Sequence, residues 1–314
     1  MLLAAFTLFS PASGAFVSLA QATLADVDPT RLEQNMARWT FAGSLGVLVG
    51  SFAVGAFASG EEEWRLLFLG VAAASAVALG LAARYPIGAG GSAGPDREPL
   101  LTTLRDSVRW ALDALRRPDI IRWLTLLEIS DLVGDILLGY LALYLTDVAG
   151  ARSAEAAVGV GLLTAGGLVG DLLVIVLLER MRGLTYLRLN SGMTIVLLAA
   201  FLLVPDLVAR LILATLLGVA IGGRYAILQA QLYDALPGRS GSALALRNAS
   251  NIPGSLLPAM IGAAAASWGL GAAMWLLLIG PIGMLIATPR RETSTRRNTP
   301  SPNPPPPGAA SRGD

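Results

Sequence analysis

Three acidic residues in one strongly apolar segment are the first candidates for chemistry. Glu128, Asp131 and Asp135 stand at positions i, i+3 and i+7 of IIRWLTLLEISDLVGDILLGYLALYLTD, which places them on one face of a helix. A carboxylate at membrane depth is costly unless it faces water or a charged partner. We therefore expect a polar cavity, with Asp135 as the first proton carrier and Asp131 as the second. Alternatively, Glu128 and Asp131 form fixed ion pairs at the end of the helix.

A buried arginine is the expected counter-charge for these carboxylates. Arg224 follows two glycines in GVAIGGRYAILQAQLYDAL, and we expect it to pair with Asp131 or Asp135. Asp171, in another apolar run, is a second possible partner. Arg224 could instead bind an anionic group of a substrate directly. Gln229, one turn further along, adds a neutral hydrogen-bonding group to the predicted cavity.

The composition indicates an all-α protein of the membrane. The chain has 314 residues, of which 54% are hydrophobic and 14% charged, and its mean hydropathy is +0.63. Soluble domains carry about a quarter charged residues. The chain has no cysteine and no histidine, which removes thiolate chemistry and the commonest general base and metal ligand. We expect no enzyme activity, no metal and no cofactor, and the net charge of +1 favours no nucleic-acid partner.

Apolar runs near the length of a bilayer span recur along the whole chain. About 20 helical residues cross the hydrocarbon core, so each run predicts one transmembrane helix. The nine predicted spans are Leu2–Ala25, Met36–Ala58, Trp64–Arg84, Asp119–Thr146, Glu155–Leu178, Thr185–Val204, Asp206–Leu232, Gly241–Ser267 and Gly269–Thr288.

The distribution of arginine predicts the orientation of these spans. Every basic residue of the chain is an arginine. If the spans alternate in direction, 19 of the 23 arginines lie on one side and 3 on the other, with Arg224 inside a span. Because basic residues concentrate on the cytoplasmic side, we expect the arginine-rich side and the C-terminus to be cytoplasmic. The expected location is the plasma membrane of a bacterium.

Two polar segments divide the chain. Residues 85–118 begin with a Gly/Pro-rich stretch and continue as a predicted amphipathic helix, so we expect a cytoplasmic linker at the membrane surface. Residues 289–314 are polar and Pro-rich, and we expect them to be disordered. Residues 1–84 then form a partial N-terminal half of three helices, and residues 119–288 form a C-terminal half of six helices.

One polar-ended segment occurs twice in the chain. QATLADVDPTR, Gln21–Arg31, closes the first predicted span, and QAQLYDALPGR, Gln229–Arg239, closes the seventh. The repeat unit is therefore six spans, and both copies have the same orientation in the membrane.

The major facilitator superfamily is built from parallel six-helix halves joined by a polar bridge. Three further stretches of this sequence resemble motifs of that superfamily. GAFVSLAQATLADVDPTRLEQNMARWTFAGSLGVLVG resembles the fourth and fifth helices of drug-efflux-type members. GDLLVIVLLERMRGLTYLRL resembles the inner-loop motif G-x-x-x-D-R-x-G-R, with Glu179 in place of Asp. GVLVGSF resembles the glycine-rich antiporter motif, with Ser51 in place of the usual Pro. The resemblance identifies the nine spans as helices 4–12 of a 6+6 transporter, and we expect the true start of the gene product to lie upstream.

The resemblance implies a function and a gate. It implies a monomeric secondary transporter in the lipid bilayer that exports small organic molecules, coupled to protons. The alternatives are an uptake symporter for a sugar or organic anion and a non-transporting truncated remnant.

The repeat makes Asp26 equivalent to Asp234 and Arg38 to Arg247. We expect crossed ion pairs, Asp26 with Arg247 and Asp234 with Arg38, to close the cytoplasmic side in the outward-facing state. Alternatively, each aspartate caps its own helix or pairs locally.

Overall fold

The computed structural model describes residues 2–57, 63–84, 109–110, 112–236, 240–254 and 256–289. Every regular element within these ranges is a helix, which confirms the all-α prediction. Residues 85–108 and 111 of the predicted linker and all of the tail beyond residue 289 lie outside the described residues. The N-terminal half consists of α1 (Leu2–Val27), a 3-10 turn (Pro29–Arg31), α2 (Leu32–Phe57) and α3 (Glu63–Arg84).

The C-terminal half contains a longer series of helices. They are α4 (Pro118–Asp147), α5 (Ser153–Leu177), α6 (Gly183–Leu203), α7 (Leu207–Ile221), α8 (Arg224–Asp234), α9 (Ser240–Gly254), α10 (Leu257–Trp268), α11 (Leu270–Met274), a 3-10 helix (Trp275–Leu278) and α12 (Ile279–Ala287).

Helices occupy the described parts of all nine predicted spans, but not all of these helices have the length and composition of a membrane span. Within the described ranges, four are long and apolar enough to cross a bilayer by these two criteria, with α7 and α8 counted as one. Three further apolar helical stretches are shorter: Phe16–Val27 within α1, Phe68–Leu81 within α3, and Leu257–Trp268. The number of nine crossings therefore stays a prediction. The four candidates are Ser153–Leu177, Gly183–Leu203, Leu207–Asp234 and Leu270–Ala287.

The seventh predicted span is a broken helix rather than a continuous one. Helix α7 ends at Ile221, and α8 begins at Arg224. Gly223 between them has φ of +74°, a left-handed conformation that glycine adopts without strain. The two consecutive glycines therefore account for the break, which turns the chain at the centre of the C-terminal half.

Glycines also set the distance between α5 and α7. A Cβ atom added to Gly218 would lie 2.1 Å from the carbonyl oxygen of Leu163, and one added to Gly166 would lie 2.2 Å from that of Thr215. Such close backbone approach is typical of small-xxx-small helix pairs. Gly46 in α2 belongs to the same kind of sequence pattern, but no described heavy atom lies within 4 Å of a Cβ placed there.

The buried apolar side chains form two clusters at opposite ends of the helices. The arginine-rich end carries the turn Pro29–Arg31 and the loop 178–182; the opposite end carries the loops 148–152 and 204–206. The mixed cluster lies toward the arginine-rich end and takes residues from both halves, such as Met36, Leu127 and Leu228. The C-half cluster lies toward the opposite end, and those of its buried members that the structure describes come from residue 136 onward, for example Leu141 and Phe201.

Candidate functional site

A cavity of about 290 Å³ lies between the two halves at the level of the broken helix. Helices α2, α4, α5 and α7 form its walls, together with the glycines of the break. Three aspartates from two different helices reach it, as do several hydroxyl groups. Its lining residues with polar side chains are Thr40, Ser44, Ser130, Asp131, Asp135, Thr164, Asp171 and Tyr225.

The break in the seventh span is stabilised by side chains that bind its backbone. The hydroxyl of Tyr186 donates to the carbonyl oxygen of Gly222 at 3.1 Å, and the backbone N–H of Gly223 donates to Oδ1 of Asp171 at 2.7 Å. Asn190 in turn donates to the oxygen of Tyr186 at 3.1 Å. Backbone groups outside a helix must find such partners at membrane depth. The break is therefore a built feature of the cavity wall.

Asp171 also connects the two halves. Its other carboxylate oxygen, Oδ2, accepts a hydrogen bond of 2.5 Å from the hydroxyl of Ser44 on α2. The side chain is only 4% exposed, so both bonds lie in a largely water-free environment. One carboxylate thus contacts the N-terminal half, its own helix α5 and the start of α8.

The first two members of the acidic stripe on α4 form an ion-pair network with Arg247 of α9. Nη1 of Arg247 donates to Oε1 of Glu128 at 2.6 Å, and Nη2 donates to Oδ2 of Asp131. Ser250 adds a third hydrogen bond, to Oε1 of Glu128 at 3.0 Å. The arginine side chain is 6% exposed. This network corresponds to the fixed ion pairs that the sequence left open as an alternative.

Asp135 differs from the other two members of the stripe. It lies one helical turn deeper than Asp131, lines the cavity and is exposed to it. No hydrogen bond or ion pair of its carboxylate occurs among the described residues. Asp135 is therefore the cavity carboxylate that is most available to a proton or a ligand.

Arg224 does not pair with the carboxylates expected for it. It is fully buried, its Nε donates to the carbonyl oxygen of Ile221 at 3.3 Å, and its Nη1 lies 3.8 Å from the sulfur of Met284 in α12. The turn at the break directs the side chain toward α12. Arg247 forms the ion pair with Asp131 instead, and Ser44 and Gly223 donate hydrogen bonds to Asp171. Within the described structure Arg224 is not among the residues that line the cavity.

The four predicted gate residues are not brought together in this conformation. Arg247 contacts Glu128 and Asp131 rather than Asp26, because these two carboxylates stand one turn apart on α4 and fit the two arms of one guanidinium group. Asp26, Arg38 and Asp234 lie at the surface, and Asp234 lines a separate cavity of about 540 Å³ at the arginine-rich end. The crossed pairs Asp26–Arg247 and Asp234–Arg38, predicted for the outward-facing state, are therefore not formed in this conformation.

Gln229, predicted as a cavity residue, lies elsewhere. Its side chain is fully buried in α8, among apolar residues of the mixed cluster. It is absent from the described lining of the 290 Å³ cavity. Its distance along α8 from the break at Gly223 explains this position, because the cavity ends within the first turn of α8.

The structure reveals a contact between the halves that the sequence analysis missed. Glu33, at the start of α2, accepts a hydrogen bond of 2.9 Å from Nε2 of Gln231 on α8. Its carboxylate also covers the first residue of α6, where a Cβ atom on Gly183 would lie 2.4 Å from Oε1. An acidic group next to a helix N-terminus is stabilised by the helix dipole. Beside it, Gln34 reaches the carbonyl oxygen of Leu178 at 3.5 Å.

Comparisons with known proteins agree with this architecture. The sequence pattern described as Major Facilitator Superfamily matches residues 1–248, and the chain belongs to this family of multi-pass membrane proteins. A comparison with curated proteins finds no match. Among solved structures, the chain is similar to the proton:xylose symporter XylE of this superfamily, bound to 6-bromo-6-deoxy-D-glucose, with a TM-score of 0.63 and 16% identity. The match covers 86% of this chain but only 66% of that chain, and it shows a common fold.

Proposed function

We propose that the chain is a secondary active transporter of the bacterial plasma membrane that exports small organic molecules in exchange for protons. The observation that carries this proposal is the convergence of Asp131, Asp135 and Asp171 on one cavity between the two halves. Carboxylates inside a membrane protein are expensive and typically mark ion or proton pathways. In this superfamily the two halves rock around a site near the middle of the membrane.

The packing of the halves supports an outward-facing state. Among the described residues, the N-terminal half contributes buried side chains to the mixed cluster, whereas the C-half cluster takes its buried side chains from residue 136 onward. If the arginine-rich end is cytoplasmic, as the charge distribution indicates, the halves are closed on the cytoplasmic side. The cavity is then reached from the outside. Transport requires a second state in which the mixed cluster opens instead.

The proposed proton site is the carboxylate of Asp135. In the outward-facing state Asp135 takes a proton from external water at one of its carboxylate oxygens. In the inward-facing state the proton leaves to the cytoplasm, and the charged carboxylate becomes available to the next substrate molecule. Asp131 keeps its ion pair with Arg247 in the outward-facing state, so the two aspartates have different roles.

The charges of the cavity favour a cationic or neutral substrate over an anionic one. Three of the described lining residues are acidic and none is basic. Arg224, the arginine predicted in the middle of a span, lies toward α12 and away from the cavity. The ring of Tyr225 adds an aromatic surface on which an organic cation can lie. Export of an organic anion has no comparable support in this geometry.

Inverted membrane vesicles with an acidic interior test this function. Adding ethidium, an aromatic cation, is expected to dissipate the pH gradient in vesicles that contain the protein. Asp135→Asn is expected to abolish the dissipation. Asp147→Asn, an exposed aspartate at the far end of the same helix, is the matched control and is expected to behave as the wild type. Equal dissipation by the Asp135→Asn protein would overturn the assignment of the proton site.

A second candidate is proton-coupled uptake of a sugar. The fold similarity to XylE supports it, and Thr40, Ser130 and Thr164 offer neutral hydrogen-bonding groups in the cavity. Proteoliposomes separate the two candidates. Accelerated exchange of labelled xylose, together with no response of the pH gradient to ethidium, would favour uptake over export.

A further inference from the structure

We propose that Asp171 is a positioning residue that ties the broken seventh span to the N-terminal half and thereby keeps the arginine-rich end closed. The proposal rests on the proposed alternating-access function, and it adds a residue that acts through two neighbours rather than on the substrate. Asp171 entered the sequence analysis only as a possible partner of Arg224, a contact that the structure does not form.

The two oxygens of the Asp171 carboxylate bind groups from different parts of the molecule. Oδ1 accepts from the backbone N–H of Gly223 at 2.7 Å, and Oδ2 accepts from the hydroxyl of Ser44 at 2.5 Å. Hydrogen bonds to a charged acceptor are roughly twice as strong as neutral ones. The carboxylate therefore couples the position of α2 to the geometry of the break.

The break itself has little freedom to move relative to α5. A Cβ atom on Gly222 would lie 2.6 Å from the carbonyl oxygen of Gly167, and one on Gly223 would lie 2.6 Å from Cβ of Val174. The backbone of the break is therefore packed directly against α5, which also carries Asp171. When the halves move apart, Ser44 is the partner that must leave.

The position of Ser44 along α2 shows why this contact matters. Ser44 lies twelve residues after Leu32, the first residue of α2, or about 18 Å along the helix. The other hydrogen bonds between α2 and the C-terminal half, within the described ranges, come from Glu33 and Gln34 at its start. Beyond Ser44, Leu45 and Val47 are 41% and 63% exposed. Among the described residues, Ser44–Asp171 is thus the hydrogen bond between α2 and the C-terminal half that lies farthest from the arginine-rich end.

Introduced cysteines can report this closure directly, because the chain has none of its own. Ala37, fully buried in the mixed cluster, gives a reporter for the arginine-rich end as Ala37→Cys. Leu138, 45% exposed and lining the cavity, gives a reporter for the other side as Leu138→Cys. The measurement is the rate of labelling by a hydrophilic maleimide on the full-length protein in liposomes.

Ser44→Ala removes the hydrogen bond between Ser44 and Asp171 and leaves the bond between Asp171 and Gly223 in place. We expect it to raise the labelling rate of Ala37→Cys about tenfold. This is the increase in the population of the open state that follows from the loss of one charge-assisted hydrogen bond. The matched control is Ser75→Ala on α3, whose hydroxyl binds the carbonyl oxygen of Val71 in its own helix at 2.8 Å. The control is expected to leave the rate unchanged.

Variants of Asp171 distinguish positioning from general stability. Asp171→Asn keeps an acceptor for Gly223 and a polar partner for Ser44, so labelling close to the wild-type rate is expected. Asp171→Ala is expected to raise labelling at least as much as Ser44→Ala does, and the double variant is expected to add nothing further. If Asp171→Ala fails to fold, the comparison of Ser44→Ala with its control still decides the question.

Two outcomes would overturn the inference. One is a wild-type labelling rate for Ala37→Cys in the Ser44→Ala protein. The other is a change of equal size in the Ser75→Ala control. Neither outcome depends on ethidium or xylose transport, so failure of the positioning role is distinguishable from failure of the proposed function. A loss of transport by Asp135→Asn with unchanged labelling would support the division of roles between the two aspartates.

Discussion

The two ends of the helix bundle join the halves of the molecule in different ways. At the arginine-rich end, Met36 and Ala37 of α2 are fully buried among residues of the C-terminal half. At the opposite end, the described members of the buried cluster all belong to the C-terminal half. Two ion pairs within the C-terminal half differ in burial. Arg247 is buried on Glu128 and Asp131 toward the first end, whereas the pair of Arg152 with Glu155 at the second end is largely exposed.

This difference indicates where conformational change can occur at low cost. The C-half cluster is packed within one half, so its contacts are expected to stay intact when the halves move. The mixed cluster lies across the junction and must separate in an inward-facing state. Interactions across the junction are therefore expected to control the equilibrium between states, and interactions elsewhere are expected to control stability alone.

Removing the arginine of the buried ion-pair network should have the largest effect. Arg247→Ala leaves two partly buried carboxylates without their partner, which should lower the free energy of unfolding by about 3 kcal/mol, the lower end of the range for a buried ion pair. Arg152→Ala at the opposite end removes an exposed pair, so no measurable change is expected. Thermal unfolding of both variants in detergent tests this contrast. Equal losses would mean that burial of the pair is not the cause.

Truncating an apolar side chain in each cluster separates stability from gating. Met36→Ala and Leu141→Ala both empty fully buried positions and should each cost about 2–5 kcal/mol. Only Met36→Ala should increase labelling of a reporter in the mixed cluster, Ala230→Cys, because only Met36 packs across the junction. Increased labelling in the Leu141→Ala protein would show that the C-half cluster also takes part in opening.

Glycine substitutions compare the same sequence pattern in the two halves. Gly218→Ala places a methyl group against the backbone of α5, which should cost about 1–3 kcal/mol. Gly46→Ala meets no described atom and removes a flexible residue from a helix, so a gain of about 0.5–1 kcal/mol is expected. Unfolding midpoints of the two variants give the comparison. A gain in both proteins would refute the close packing of α5 on α7.

The sequence predicted the helices and the acidic cavity because these depend on local periodicity. Apolar runs defined the helix positions, and the spacing of Asp131 and Asp135 placed them on one face whatever the tertiary arrangement. Asp171 was expected as a possible partner of Arg224, but its real partners could not be read from the sequence. They depend on the close approach of α5 and α7 and on the left-handed conformation of Gly223.

The ion pairs were the least predictable part of the site. A repeat identifies equivalent residues, but it does not show which carboxylate a guanidinium group reaches after the helices pack. Glu128 and Asp131 lie one turn apart on a neighbouring helix, so each accepts a hydrogen bond from one Nη atom of Arg247. Asp26 alone would offer the guanidinium group a single carboxylate. Glu33 gave no signal of its own, since its role depends on the absence of a side chain at Gly183, 150 positions further along the chain.

The smallest expected effect concerns the turn that joins α1 and α2 at the arginine-rich end. The hydroxyl of Thr30 and, after it, the backbone N–H of Thr30 donate to Asp28 and hold the pKa of Asp28 below its ordinary value of 3.8. Because the folded-state pKa is lowered, the stabilisation is present above the ordinary value and is lost as the pH falls through the folded-state value.

Thr30→Val removes the hydroxyl donor and should return the pKa of Asp28 toward 3.8, so the acid-induced loss should begin at a higher pH than in the wild type. Unfolding midpoints measured from neutral to acidic pH test this, with Asp28→Asn as the control that cannot titrate. The difference between the wild type and Asp28→Asn should shrink as the pH falls. A difference in unfolding midpoint that does not change with pH would show that Pro29 and backbone hydrogen bonds stabilise the turn. In that case the charge of Asp28 would make no contribution to closure of this end.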